Sequence, residues 1–176
     1  MAIATLGGGC FWCLEAVFQR LRGVSSVESG YAGGDPAKAD YKSVCTGTSG
    51  HAEVVQIIFD PAVIAFTQLL EVYFAIHDPT SLNRQGADVG TQYRSEVFAH
   101  DESQLADATA YIARLADSNK YASPIVTKVS MRDRFFPAEE YHRNYFNGNP
   151  YQPYCLGVVR PKVMKAEQLF PHLLKS

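Results

Sequence analysis

Cys10 is where this sequence first offers chemistry. It follows Gly7-Gly8-Gly9 and stands where an apolar helical pattern opens. Glycines permit close backbone approach and unusual φ and ψ. A helix start presents free N–H groups and a partial positive charge, and both favour thiolate over thiol. Placement alone therefore points to a lowered pKa and a nucleophile. The alternative is an inert core cysteine, which is a common residue. Cys13 makes Cys10-Phe11-Trp12-Cys13 a C-x-x-C, a spacing used in thiol–disulfide exchange. Zinc would need further ligands from Cys45, His51 or Cys155. No second C-x-x-C and no H-x3-H is present, so no metal is expected.

Glu53 is the next position of interest. In the segment His51 to Phe59, strand alternation puts it on one face with Val55, Ile57 and Phe59. A carboxylate on an apolar face is costly unless paired or protonated, and desolvation raises its pKa into the range of a general acid. A solvated strand end is the other reading. From His77 to Ser95 the chain carries Arg84, Asp88, Gln92, Tyr93 and Arg94 among glycines. That density of hydrogen-bonding groups suits a binding loop, and equally a solvated connection. Tyr31 and Tyr41 flank a further glycine-rich stretch and read first as packing residues. Tyr151, Tyr154 and Cys155 sit beside prolines and read as a surface loop with an inert cysteine.

The elements that must position these groups alternate between strand and helix patterns. Ile3 to Leu6 reads as a strand. A helix stripe of Leu14, Val17, Phe18 and Leu21 follows, with Gly23 as its C-cap. Val24 to Tyr31 and His51 to Asp60 read as strands. Phe66, Leu69, Leu70, Tyr73 and Phe74 keep helical spacing until Asp78-Pro79 stops them. Residues 79–92 read as a loop and Tyr93 to Ala99 as a strand. Asp101 caps a helix with the stripe Leu105, Ala108, Ile112 and Leu115. Ile125 to Ser130 reads as a strand, and Pro137 opens a helix running to about Phe146. A loop over 147–153 and a final stripe of Val163, Ala166, Leu169 and Phe170 close the chain. This alternation predicts an α+β sandwich, one domain over residues 1–176.

Composition limits the function classes. The 176 residues are 47% hydrophobic and 19% charged, which excludes a disordered chain. Sixteen Lys and Arg against eighteen Asp and Glu leave −2, with no basic field for nucleic acid. No apolar run reaches the roughly 18 residues of a membrane helix. Met1 to Leu6 has neither a basic region nor a long apolar stretch, so no secretory signal is expected. Four cysteines are too few for a disulfide scaffold in a chain this long, which points to a reducing, cytoplasmic setting.

Gly9-Cys10-Phe11-Trp12 is also a family pattern, and further segments follow it in order. They are Gly30-Tyr31-Ala32-Gly33-Gly34, Tyr41 to Cys45, Thr46 to Glu53, His77-Asp78-Pro79-Thr80, Arg84-Gln85-Gly86, Asp88, Gly90 to Ser95, and Asn149 to Cys155. The chain thereby resembles the peptide-methionine (S)-S-oxide reductases, the A class of methionine sulfoxide reductases, from about residue 5 to 162. The resemblance implies a ferredoxin-like two-layer α/β sandwich with extra strands, helices and long loops. It implies reduction of the S epimer of methionine sulfoxide, free or in proteins, an oxidative-stress repair activity. Cys10 falls on the nucleophile, Glu53 on the acid, Tyr41 and Tyr93 on phenol donors, and Asp88 on a supporting carboxylate. Phe11 and Trp12 fall on the pocket for the substrate's methyl group.

On that reading Cys10 attacks the sulfoxide sulfur, becomes a sulfenic acid, and condenses with a second thiol to a disulfide. Thioredoxin would reduce that disulfide, with no cofactor required, and nothing demands more than a monomer. Position 13, often glycine in the family, is cysteine here. Cys155 and Cys13 therefore compete as the resolving thiol. The sequence reading favours Cys155, with Cys13 as shuttle or bystander, and packs Cys45 as a small apolar residue.

Overall fold

In the computed structural model, which describes residues 1–176, strand β1 (Ala2–Gly7) runs through a glycine turn into helix α1 (Phe11–Phe18). β2 (Val24–Ala32), the short helix α2 (Tyr41–Cys45) and β3 (Ala52–Phe59) come next. Helix α3 (Phe66–Ile76) leads to a small hairpin, β4 (Arg84–Gln85) with β5 (Asp88–Val89). β6 (Glu96–Ala99), α4 (Glu102–Asp117), β7 (Lys128–Met131) and β8 (Phe136–Pro137) follow. The chain ends with α5 (Tyr145–Gly148) and a π-helical stretch, Cys155–Val159, that continues into α6 (Arg160–Leu169).

One mixed sheet has the order β7-β6-β1-β3-β2-β8. β6 and β7 are parallel; every other pairing in it is antiparallel. The pleat sorts the side chains. On β3, Val55, Ile57 and Phe59 face the main core beneath α1, α3 and α6. Ala52 and Val54 face the other way, into a small cluster with Ala32 and Phe98. The helices fill the main core with Leu14 and Phe18, Leu69 and Leu70, and Val163 and Ala166. Each fully buried leucine there contributes about 2 kcal/mol. No helix is long and apolar enough to cross a membrane.

The expected helix from Pro137 to Phe146 does not form. Pro137 lies instead in β8 at the sheet edge, opposite Gly30, where its missing N–H costs no ladder bond. A 3₁₀ turn at Glu140–His142 follows, and Asn144 takes a left-handed conformation (φ 55°) that separates it from α5. Helix α1 stops at Phe18, so Leu21 is buried outside it in a bridge to Leu174, and Gly23 shapes a turn, not a C-cap. Tyr93 sits in a 3₁₀ turn before β6, so that strand starts at Glu96. The strand expected at Ile125 begins at Lys128. Leu169, expected on the apolar stripe of α6, is half exposed at 51%.

The β2–β8 contact makes Gly30 obligatory. A Cβ there would lie 2.4 Å from the Phe135 ring and from the Phe136 carbonyl oxygen. Overpacking of this kind costs about 1–3 kcal/mol, so Gly30→Ala is expected to lower Tm by roughly 5 °C. An unchanged melting curve would show that β8 is free to move away.

Candidate active site

Gly9 turns the chain with φ 87°, a conformation that strains any residue with a side chain. Its N–H donates to the Tyr93 carbonyl at 3.2 Å, which ties the turn to the 91–93 segment. Cys10 is thereby placed at the N-cap of α1. The first N–H groups of a helix lack internal partners. That of Phe11 donates to Oε1 of Glu53 at 3.1 Å. A main-chain hydrogen bond thus fixes the carboxyl of β3 beside the thiol of α1.

Glu53 is 2% exposed, so the solvated strand-end alternative does not hold. Burial pushes its carboxyl up to about 8, and the charges of Asp88 and Cys13 add to this; the Phe11 N–H opposes it and loses. Near neutral pH the acid holds its proton. Burial also reverses the expectation for Cys10. It outweighs the helix start, and the neighbouring Cys13 thiol and Glu53 charge push the same way, so the resting Cys10 is a thiol held well above its ordinary value. Cys13 behaves oppositely. The Cys10 S–H directed at it lowers its pKa, its own burial works against this, and the Lys162 ammonium lowers it further.

Cys10, Glu53, Tyr41, Tyr93 and Asp88 line a single cavity of about 240 Å³, with Phe11 and Trp12 as one wall. This is smaller than the roughly 300–1,000 Å³ of drug-sized sites, and suits one side chain. Burial raises the pKa of both Tyr41 and Tyr93, so each phenol stays a proton donor in hydrogen bonds. Tyr41 is held by its N–H, which donates to Oε2 of Glu139 at 2.9 Å, while Tyr31 donates its hydroxyl to Oε1 at 2.8 Å. Two larger surface clefts, of about 710 and 830 Å³, contain no thiol.

The C-terminal loop departs from its reading as a surface segment. Tyr151 is exposed, but Gln152 and Tyr154 close the cavity, and Tyr154 donates its hydroxyl to Oδ2 of Asp88 at 2.5 Å. Cys155 is fully buried at the start of the π-helical stretch, and its thiol is pushed up by burial and then by the charge of Cys13. Cys45 is exposed at the end of α2 rather than packed as an apolar residue. No group of three or more His, Cys, Asp and Glu side chains is placed to hold a metal ion.

Several supporting residues escaped the sequence reading. Tyr73 donates to the Gly7 carbonyl at 2.6 Å, and Ser95 Oγ lies 2.7 Å from Nε2 of His77. Burial pushes His77 down to about 4, so it braces the glycine turn as a neutral ring. Their signal was the i, i+4 spacing of Tyr73 on α3 and His77 just past its C-terminus. His142 is fully buried and accepts from Nε1 of Trp12 at 3.0 Å. It lay inside a helix expected from Pro137, and nothing in its neighbours marked it.

Residues 2–173 match the family described as peptide methionine sulfoxide reductase. Similar curated proteins include peptide methionine sulfoxide reductase MsrA of Polynucleobacter asymbioticus, 53% identical over 97% of this chain and 90% of that one. The MsrA of Chromobacterium violaceum is also 53% identical, over the full length of both. Among solved structures, reduced Mxr1 from Saccharomyces cerevisiae superposes with a TM-score of 0.80 at 36% identity, covering 88% of each chain. Mxr1 in complex with Trx2 matches the fold at a TM-score of 0.56 and 24% identity, over 82% of this chain and 84% of that one. A family match over nearly the whole length, on a cavity that joins a buried thiol to a protonated acid, means that the chain belongs to the peptide methionine sulfoxide reductase family, oxidoreductases that reduce methionine sulfoxide.

Proposed function

We propose that residues 1–176 act as one catalytic domain that reduces methionine-S-sulfoxide, free or in proteins, through a Cys10 sulfenic acid. The observation that carries this is the shared cavity: Cys10, Glu53, Tyr41 and Tyr93 converge on a space one side chain can fill. Both reacting groups rest neutral, which matches a neutral substrate. Glu53 gives its proton to the sulfoxide oxygen as the Cys10 sulfur attacks the sulfoxide sulfur, and the thiol proton passes to the carboxylate left behind. Tyr41 and Tyr93 donate hydrogen bonds to the oxygen as charge develops there. Phe11 and Trp12 favour the S–CH₃ end through apolar and sulfur–aromatic contact. Oxygen moves from the substrate to Cys10; methionine leaves reduced and Cys10 is oxidised to the sulfenic acid. Asp88 holds Tyr154 over the cavity during this step.

A second thiol then displaces water from the sulfenic acid. Cys13 is the thiol in contact with Cys10, and the charge of Cys13 acts in turn on Cys155. This arrangement supports the order Cys10–Cys13 first, with Cys155 exchanging onto Cys13 afterwards. Thioredoxin then reduces the last disulfide; the complex of Mxr1 with Trx2 supports a partner of that kind. The four free thiols suit a reducing, cytoplasmic setting, and we read the enzyme as a monomer. The path β1-α1-β2-β3-α3-β6, with the spatial order β6-β1-β3-β2, supports a ferredoxin-like core.

Turnover of an S-sulfoxide peptide coupled to thioredoxin, with the R epimer alongside, tests the reading. Consumption of S alone is expected. Equal use of both epimers, or no use of either with ready reduction of a disulfide substrate, overturns it in favour of a disulfide exchanger built on Cys10 and Cys13.

A further inference from the structure

His142 touches three of the aromatic residues that line the candidate cavity, Phe11, Trp12 and Tyr41, and belongs to none of the reacting groups. Its ring lies 5.0 Å from Phe11, 5.8 Å from Trp12 and 4.5 Å from Tyr41, centroid to centroid. It is 0% exposed. Nδ1 accepts the indole N–H of Trp12 at 3.0 Å, which requires Nδ1 to be unprotonated and places the neutral ring's hydrogen on Nε2. Trp12 also stacks on Tyr145 at 3.8 Å between ring centroids, so the indole has one stacking plane and one polar anchor.

We propose that His142 is a positioning residue for substrate selection: as a neutral acceptor it holds Trp12 in place as the wall that receives the substrate's methyl group, and its protonation releases that wall. This deepens the reading of Phe11 and Trp12 as the methyl pocket and rests on it. A protonated ring carries N–H at both nitrogens and can no longer accept from Trp12. Burial keeps the His142 pKa below its ordinary value, and Glu139 opposes this. The other groups around the ring are the phenols of Tyr41 and Tyr141 and, on the small polar cavity His142 lines, Glu15, Glu28, Glu140 and Arg143. At neutral pH the anchor is therefore engaged, and it is lost only in acid.

Trp12 is the chain's single tryptophan, so its fluorescence reports this bond directly. The wild-type emission is expected to titrate with a midpoint below about 6.5. His142→Phe keeps a ring in the space but has no acceptor. It should lose the titration and raise KM for the sulfoxide about three- to tenfold, with kcat changed far less. His142→Asn offers an oxygen near the position of Nδ1 and should restore KM without restoring the titration. Melting curves of both variants separate these effects from misfolding. A titration that persists in His142→Phe, or a KM equal to wild type, overturns the proposal. Wild-type protein that turns over no sulfoxide yet keeps the fluorescence titration would instead sink the functional reading on which the proposal rests.

Discussion

Glu53→Gln is expected to slow sulfoxide turnover by about 10²–10⁴-fold while making the protein more stable at neutral pH. The two effects have one cause. Burial holds the Glu53 carboxyl up to about 8, so the folded protein keeps a proton that the unfolded chain releases near the ordinary carboxyl value. Between those values the folded state binds more protons than the unfolded one, and stability falls as pH rises. At pH 7 the penalty is on the order of 1–3 kcal/mol. Glutamine accepts the Phe11 N–H as glutamate does but has no charge to bury. The variant should therefore lose the decline in stability between about pH 4.5 and pH 8. Its activity should also lose the alkaline limb that wild type shows as Glu53 ionises through about 8. Alkylation of Cys10 should persist, which separates a missing acid from a damaged thiol. Denaturant unfolding at pH 5, 7 and 8.5 and kcat/KM across the same range measure both. An identical stability slope in the two proteins would show that Glu53 ionises freely, and the general-acid role would fall with it.

The sequence already held the part of this site that depends on local pattern. Glu53 could be placed on the core face of β3 because strand side chains alternate, and Val55, Ile57 and Phe59 define that face. Cys10 could be placed at a helix start because three glycines precede an apolar stripe. Its protonation state could not be read this way. The helix start is a local property and favours thiolate, but burial by distant segments decides the balance. The same limit hid Tyr154 and His142. Tyr154 reaches the cavity only because Asp88, 66 positions away in sequence, accepts its hydroxyl. His142 matters only because Trp12, 130 positions away, donates to it. Pro137 misled because its fixed φ fits a helix start and a sheet edge equally well, and pairing with Gly30 selects the edge.

Cys13→Ser and Cys155→Ser should fail at different steps, and the difference tests the order of disulfides. The sequence reading favours Cys155 despite its distance along the chain, because its Gly/Pro loop could fold over the site while Cys13 points along the helix. In the folded chain Cys13 and Cys155 are both fully buried, but Cys13 meets the Cys10 thiol directly. The Cys13 N–H also donates to the Cys10 carbonyl at 3.1 Å, so the two residues span one helical turn. That turn holds their Cα atoms within the roughly 4.4–6.8 Å a disulfide spans. Cys13 is further favoured as attacking thiolate, because the Cys10 S–H and the Lys162 ammonium lower its pKa while burial raises that of Cys155. Cys13→Ser should therefore leave the first sulfoxide reduction intact and slow disulfide formation about a hundredfold or more, since a neighbouring thiol is lost. The sulfenic acid should then accumulate and be trapped by a dione probe. Cys155→Ser should form the Cys10–Cys13 bond at the normal rate and stall only in recycling by thioredoxin. Mass mapping after one turnover of wild type reads the order directly. A Cys10–Cys155 bond as the first species would mean that the loop holding Tyr154 opens before the sulfenic acid is resolved, and Cys13 would then be a bystander despite its contact with Cys10.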